Sequence, residues 1–161
     1  MIEVTIESIR ISLMSEHRVI MLKDIDAERY LPIWIGPYEA EAIAIRLQNR
    51  TVPRPLTHDL LGNVINALQG EVVQVVVNDM QNDTYYARIT IECDGKRKRE
   101  IDSRPSDAIA LAVRTGAPLY VADHVMDQWS IAPEDDISDS EDLSAFRDFV
   151  NSLDLDDLPL Q

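Results

Sequence analysis

What this chain lacks narrows its function first. Its single cysteine, Cys93, excludes an intramolecular disulfide and supplies no thiolate framework for a metal. No run reaches the roughly 18 consecutive apolar residues that a membrane-spanning helix needs. The opening "MIEVTIESIR" alternates like a strand. It has no basic stretch followed by an apolar one, so no secretory signal is read and cytoplasmic residence is the default expectation. Bases are scarce, with 15 Lys and Arg against 29 Asp and Glu, a formal net charge of -14. A surface so charged excludes a non-specific duplex binder, because phosphate contacts need cations. Five Tyr, two Phe and two Trp leave few platforms on which bases of a single strand would stack. No P-loop, CxxC, HExxH or Ser-His-Asp order occurs.

What remains is ordinary globular material, 45% hydrophobic and 27% charged over 161 residues, enough for one domain with a real core. The acids are unevenly placed. From residue 134 onward ten acids face one base, Arg147, for -9, while residues 1–133 hold 19 acids against 14 bases, or -5. The division expected is therefore a domain over 1–133 and an acidic tail over 134–161, with a short amphipathic helix in "LSAFRDFVNSL". A local basic patch, "GKRKRE", stands out in the body.

The periodicities predict an α+β fold, a largely antiparallel sheet packed with about three helices plus the short C-terminal one. Strands are read over 3–14 (with a shift between Ile6 and Ile9), 18–22, 30–35, 71–77, 84–93, 96–103 and 118–122. "NDMQND" reads as a connection, and Asp94-Gly95 as a hairpin turn. The first helix starts at Pro37, with Ala40, Ile43, Ala44 and Leu47 on one stripe. The second starts with Thr57 as its N-cap and stops at Gly70; Leu60, Leu61, Val64, Ile65 and Leu68 are expected to form its buried face. The third runs from Pro105 to Arg114 and is apolar all round from Ala108 to Val113, so it must be covered on every side. The Ala-rich first helix is its natural partner.

Two junctions look alike. Arg54-Pro55 precedes Thr57, His58 and Asp59, and Arg104-Pro105 precedes Ser106 and Asp107. Capping accounts for the hydroxyls and the acids, but a cation at a helix start opposes the dipole. Both arginines therefore call for anions: Asp102, Asp107, Glu39 or Glu41, or a phosphate ligand. Among titratable groups His58 is best placed, whereas His17 and His124 read as surface residues. Carboxylates drawn from Glu39, Glu41, Asp59, Asp102 and Asp107 have the oxygen chemistry that a divalent cation such as Mg²⁺ takes.

The stretches "IGPYEAEAIA", "RPLTHDLL" and "IDSRPSDAIALAVRTGAP" occur in that order. Together they resemble the bifunctional nuclease (BFN) domain family, whose pattern they match position for position except that Ser103 stands where Ala is commoner. The resemblance implies a compact α+β homo-oligomer, with a dimer favoured, that cleaves both RNA and DNA. Carried over residue by residue, it gives Glu39, His58, Asp59, Asp102 and Asp107 as candidates for catalysis. Arg54, Thr57, Arg104 and Ser106 become candidates for substrate binding, and Glu39, Asp102 and Asp107 for holding a metal. The alternative is a non-enzymatic dimeric ligand- or protein-binding module whose motif residues form a structural Arg–carboxylate network. Low affinity for nucleic acid is expected in either case from the net charge.

Overall fold

The computed structural model describes residues 1–11, 18–93, 95 and 97–132. His17, residues 12–14 of the first expected strand, Asp94, Lys96 and the tail with its expected helix lie outside the described residues. The elements run β1 (Ile2–Ile11), β2 (Arg18–Asp24), β3 (Tyr30–Ile35), α1 (Pro37–Leu47), α2 (Thr57–Ala67), β4 (Gly70–Gln81), β5 (Thr84–Cys93), β6 (Arg97–Ser103), α3 (Pro105–Thr115), β7 (Leu119–Val121) and α4 (Asp123–Trp129). The class is α+β. One seven-stranded sheet has the order β3-β2-β1-β7-β4-β5-β6, antiparallel throughout except for the β7–β4 pair.

The strands form where alternation and β-branching predict them, and their irregularities have local causes. The break in the apolar alternation of β1 is a β-bulge, with the register against β2 shifting between Ile6 and Ser8. The stretch expected as a connection after β4 is instead strand as far as Gln81. Two register shifts along β4 let the polar residues join the ladder, and the turn shrinks to Asn82-Asp83, both with positive φ (48° and 58°). That geometry is the two-residue hairpin turn whose twist matches the strands, and Asn and Asp adopt it readily.

Helix α3 is the axis of the core. Every residue from Ala108 to Ala112 is buried, because α1 and α2 cover one side and β4 and β5 the other. Its alanines permit that close approach, and Gly116 at φ 75° ends the helix as a left-handed cap. The buried face expected for α2 is corrected by the structure. Only Gly62 and Ile65 are buried, while Leu60, Leu61, Val64 and Leu68 are exposed. Helix α2 lies outermost and meets α3 along a single line, where Gly62 sits over Leu111. Helix α4 has no counterpart in the sequence reading. It touches both β3 and β4, four places apart in the sheet, so the sheet curls enough for one short helix to reach both.

Candidate active site

Three helix starts meet above the sheet. Helix α1 begins at Pro37 behind Gly36, α3 at Pro105 behind Arg104, and α2 at Thr57 behind Leu56. Proline at the first helical position presets φ and needs no hydrogen bond there. Thr57 is therefore the first residue of α2 and not its cap. Asp59 supplies the cap, its Oδ2 accepting the Leu56 N–H at 2.8 Å. In α3 neither Ser106 nor Asp107 caps: Ser106 is buried, and Asp107 turns outward to other partners.

Those partners form the cluster. The Arg104 guanidinium forks onto Asp107, with Nε to Oδ2 at 2.7 Å and Nη2 to Oδ1 at 3.1 Å. Its Nη1 lies 3.1 Å from Glu39 Oε1. His58 Nε2 lies 3.1 Å from Asp107 Oδ1. The anion expected near Arg104 is thus present twice, from α1 and from α3 itself. Burial works to raise the Asp107 carboxyl, but the hydrogen bonds from Arg104 and His58 outweigh it and hold the group below the ordinary carboxylate range. An ionised Asp107 accepts only, so the His58 proton sits on Nε2 and Nδ1 is the nitrogen left for chemistry. The His58 side chain is 12% exposed and that of Arg104 66%. A firmly held imidazole therefore sits beside a guanidinium open to solvent.

Gly36 leaves the space that the Glu39 carboxylate occupies. A Cβ at Gly36 would overlap Glu39 Oε2, so the carboxylate folds back over the N-cap only because nothing is there. Glu39, Glu41, Thr57, His58, Arg104 and Asp107 line one open cleft of about 640 Å³. A second cleft of about 670 Å³ adjoins it, shares Glu39 and Arg104, and is walled by Trp34, Tyr85 and Trp129. Burial pushes the Tyr85 hydroxyl up to about 12, so the ring there is neutral.

Three sequence candidates stand elsewhere. Asp102 is exposed on the edge strand β6, opposite Arg88 in register. Arg54 lies two residues before the Leu56 cap, where the helix dipole no longer acts, and has no ion pair among the described residues. Asp59 faces α3: its Oδ1 accepts the Arg114 Nε–H at 2.7 Å. Burial acts to raise its carboxyl, and the Leu56 N–H and Arg114 overcome this and lower it. Arg114, which the sequence reading passed over, also donates to Ala110 O at 2.8 Å and to Ala42 O at 3.0 Å, tying α1, α2 and α3 together. Among the described residues no three His, Cys, Asp or Glu side chains gather as a metal-binding group. Glu39 and Asp107, the two metal candidates that do come together, share the Arg104 guanidinium between them. No helix among the described residues is long and apolar enough to cross a membrane.

With this geometry in hand, comparison with known proteins gives a family. A family model described as the bifunctional nuclease domain matches residues 20–134, a span that holds all the site residues named above. An uncharacterized protein of Mycobacterium tuberculosis (strain H37Rv) is 38% identical over 163 residues, covering 96% of this chain and 96% of that protein. Bifunctional nuclease 1 of Oryza sativa subsp. japonica is 30% identical over 108 residues, 65% of this chain and 33% of the rice protein. Bifunctional nuclease 2 of the same plant is 29% identical over 97 residues, 59% of this chain and 30% of its own. The chain belongs to the bifunctional nuclease domain family.

Proposed function

We propose that this protein hydrolyses phosphodiester bonds of single-stranded or flexible RNA and DNA in the cleft at the three helix starts. The observation that carries this reading is the Asp107–His58 pair set beside the exposed Arg104 in open space. Three of the five guanidinium donors of Arg104 are engaged, and two remain for a phosphate oxygen. Asp107 accepts from His58 Nε2–H and so orients the ring, and the imidazolium's Nδ1–H delivers a proton to the leaving oxygen as the P–O bond breaks. Glu39, which lines the same cleft, takes the proton of the attacking water; Thr57 lines that cleft too, and Ser106 lines the adjoining one. A divalent ion would add Lewis-acid help, with Glu39 and Asp107 as the carboxylates within reach.

Single strands are favoured because Trp34, Tyr85 and Trp129 line the adjoining cleft, where a base has aromatic faces to stack on. A duplex keeps its bases inside. The total charge makes affinity low and dependent on salt. The exposed Leu60, Leu61, Val64 and Leu68 favour a second copy packed on α2, a dimer in solution, which sedimentation of Leu68→Glu against the unmodified protein tests.

The deciding experiment is cleavage of labelled single-stranded RNA and DNA in a cytoplasm-like buffer, with Mg²⁺, with Mn²⁺ and with EDTA. It is run on the unmodified protein and on folded Arg104→Ala and Asp107→Asn. Loss of cleavage in both variants is expected. Cleavage that survives in both would assign the activity to a contaminant or another site.

A further inference from the structure

A second group of cations lies outside the Arg104 cluster. Arg46 near the end of α1, Arg50 and Arg54 on the segment leading to α2, and Arg114 near the end of α3 line one cleft of about 340 Å³. Thr51, Asn63 and one carboxylate, Asp59, complete its polar wall. Asp59 is already committed to Arg114 and to the Leu56 N–H. Arg46 sends Nε toward Val113 O at 3.3 Å, which leaves its outer donors. Arg50 and Arg54 are exposed and, among the described residues, make no ion pair or side-chain hydrogen bond.

Four guanidinium groups and one carboxylate give this cleft a formal +3, in a chain whose total is -14. Like charges gathered in one place repel, and no acid of the described residues is placed on Arg50 or Arg54 to relieve them. A planar fork of donors fits the oxygens of a phosphate better than any other common anion save a carboxylate. The cleft is also contiguous with the site: Ile45 and Pro55 line both this cleft and the one holding His58, Asp107 and Arg104.

We infer that the cleft of Arg46, Arg50 and Arg54, floored by the Arg114–Asp59 pair, is a second phosphate subsite, which grips the backbone of the strand whose scissile bond lies at Arg104. The inference rests on the nuclease reading for the identity of the strand; the anion chemistry of the cleft does not. Phosphate reaches such a cleft from two sources, a strand's backbone or a free phosphate compound, and contiguity with the site favours the strand. Under this assignment Arg54 and Arg104 hold different phosphates of one chain. The salt dependence of binding then belongs to Arg50 and Arg54.

The test is fluorescence anisotropy of a labelled oligothymidylate against salt concentration, using the full chain. Replacing Arg50→Ala together with Arg54→Ala is expected to flatten the plot of log K against log salt by about 1.4, at about 0.7 for each phosphate of a single strand that is no longer neutralised. The same slope makes binding about 25-fold weaker near about 0.1 M salt. Arg50→Lys with Arg54→Lys should keep most of the slope. Arg97→Ala with Arg99→Ala, which removes equal charge from the exposed strand β6, should leave it unchanged.

Equal flattening by the β6 pair, an unchanged slope in the cleft variant, or no strand binding by the unmodified protein each overturns the inference. Inorganic pyrophosphate serves as the second arm. Displacement of the strand by pyrophosphate only when Arg50 and Arg54 are present supports the cleft, whereas pyrophosphate binding there without strand binding overturns the assignment to a strand. Strand binding that depends on Arg50 and Arg54, with no cleavage under any metal condition, ends the nuclease reading and leaves the subsite. Cleavage abolished in Asp107→Asn with an unchanged slope in the cleft variant does the reverse.

Discussion

Helix α3 carries an arginine–aspartate pair at each end, and the two differ in almost everything but composition. At its start Arg104 grips Asp107 with a side chain 66% exposed, at the mouth of an open cleft. At its end Arg114 grips Asp59 with a side chain 6% exposed, and its remaining donors go to two backbone carbonyls. The second pair is satisfied inside the protein and holds three helices together. The first leaves donors pointing at water. Burial, and not the identity of the pair, separates a structural arginine from one placed to meet a ligand.

Three substitutions break or sharpen that contrast. The largest effect is expected from Asp107→Asn, which removes the ionised acceptor behind His58: cleavage should fall about 10³-fold, the scale of a general acid–base contribution, in a single-turnover assay. Next comes Arg114→Ala, which leaves Asp59 and two carbonyls without their donor and should lose about 3 kcal/mol in urea unfolding. Arg104→Ala should change stability by less than about 1 kcal/mol in the same assay, as exposed pairs do. Equal losses from the two arginines would erase the distinction between the ends of α3.

Gly36→Ala should lower cleavage about tenfold by displacing the Glu39 carboxylate, a loss of about 1.4 kcal/mol in transition-state stabilisation. In a Glu39→Gln background the same change should do nothing further, because the group it displaces is already gone.

The smallest effect concerns pH. Asp59 and Asp107 both have lowered folded values, so their stabilisation is complete above the ordinary carboxylate value of about 4 and is lost as pH falls through the lowered values. Unfolding curves should therefore show stability falling below about pH 4. Asp59→Asn should flatten that acid limb while lowering stability at neutral pH.

Much of this is legible in the sequence, for reasons that are local. Pro37 and Pro105 fix helix starts through their own rings, and the shift of alternation in β1 announces a bulge. The all-apolar Ala108–Val113 run requires cover on both sides, and a nearby α1 carboxylate, Glu39, does reach Arg104. Periodicity is silent on which apolar stripe receives a partner, so the α2 face reads as buried when a single line through Gly62 and Ile65 suffices. Arg114 attracts no attention because a basic residue in a last helical turn already has an explanation in the dipole. The aromatic cleft draws Trp34 from β3, Tyr85 from β5 and Trp129 from α4. Only the curl of the sheet brings those three together, and no spacing in the sequence carries that information.

The three-residue strand β7 has a consequence for how the chain folds. It is the last strand described and sits fourth of seven in the sheet, between β1, which begins at Ile2, and β4. The β1-β2-β3 meander and the β4-β5-β6 meander are each built from neighbouring segments, but no strand pairing joins them until Leu119 to Val121 slots between. On a ribosome the two halves therefore wait, each with an unsatisfied edge, for more than a hundred residues after β1 emerges. Pairing with so distant a partner carries a larger loop-closure cost than any neighbouring pair in the sheet, so completion of the sheet is expected to be its slowest pairing step.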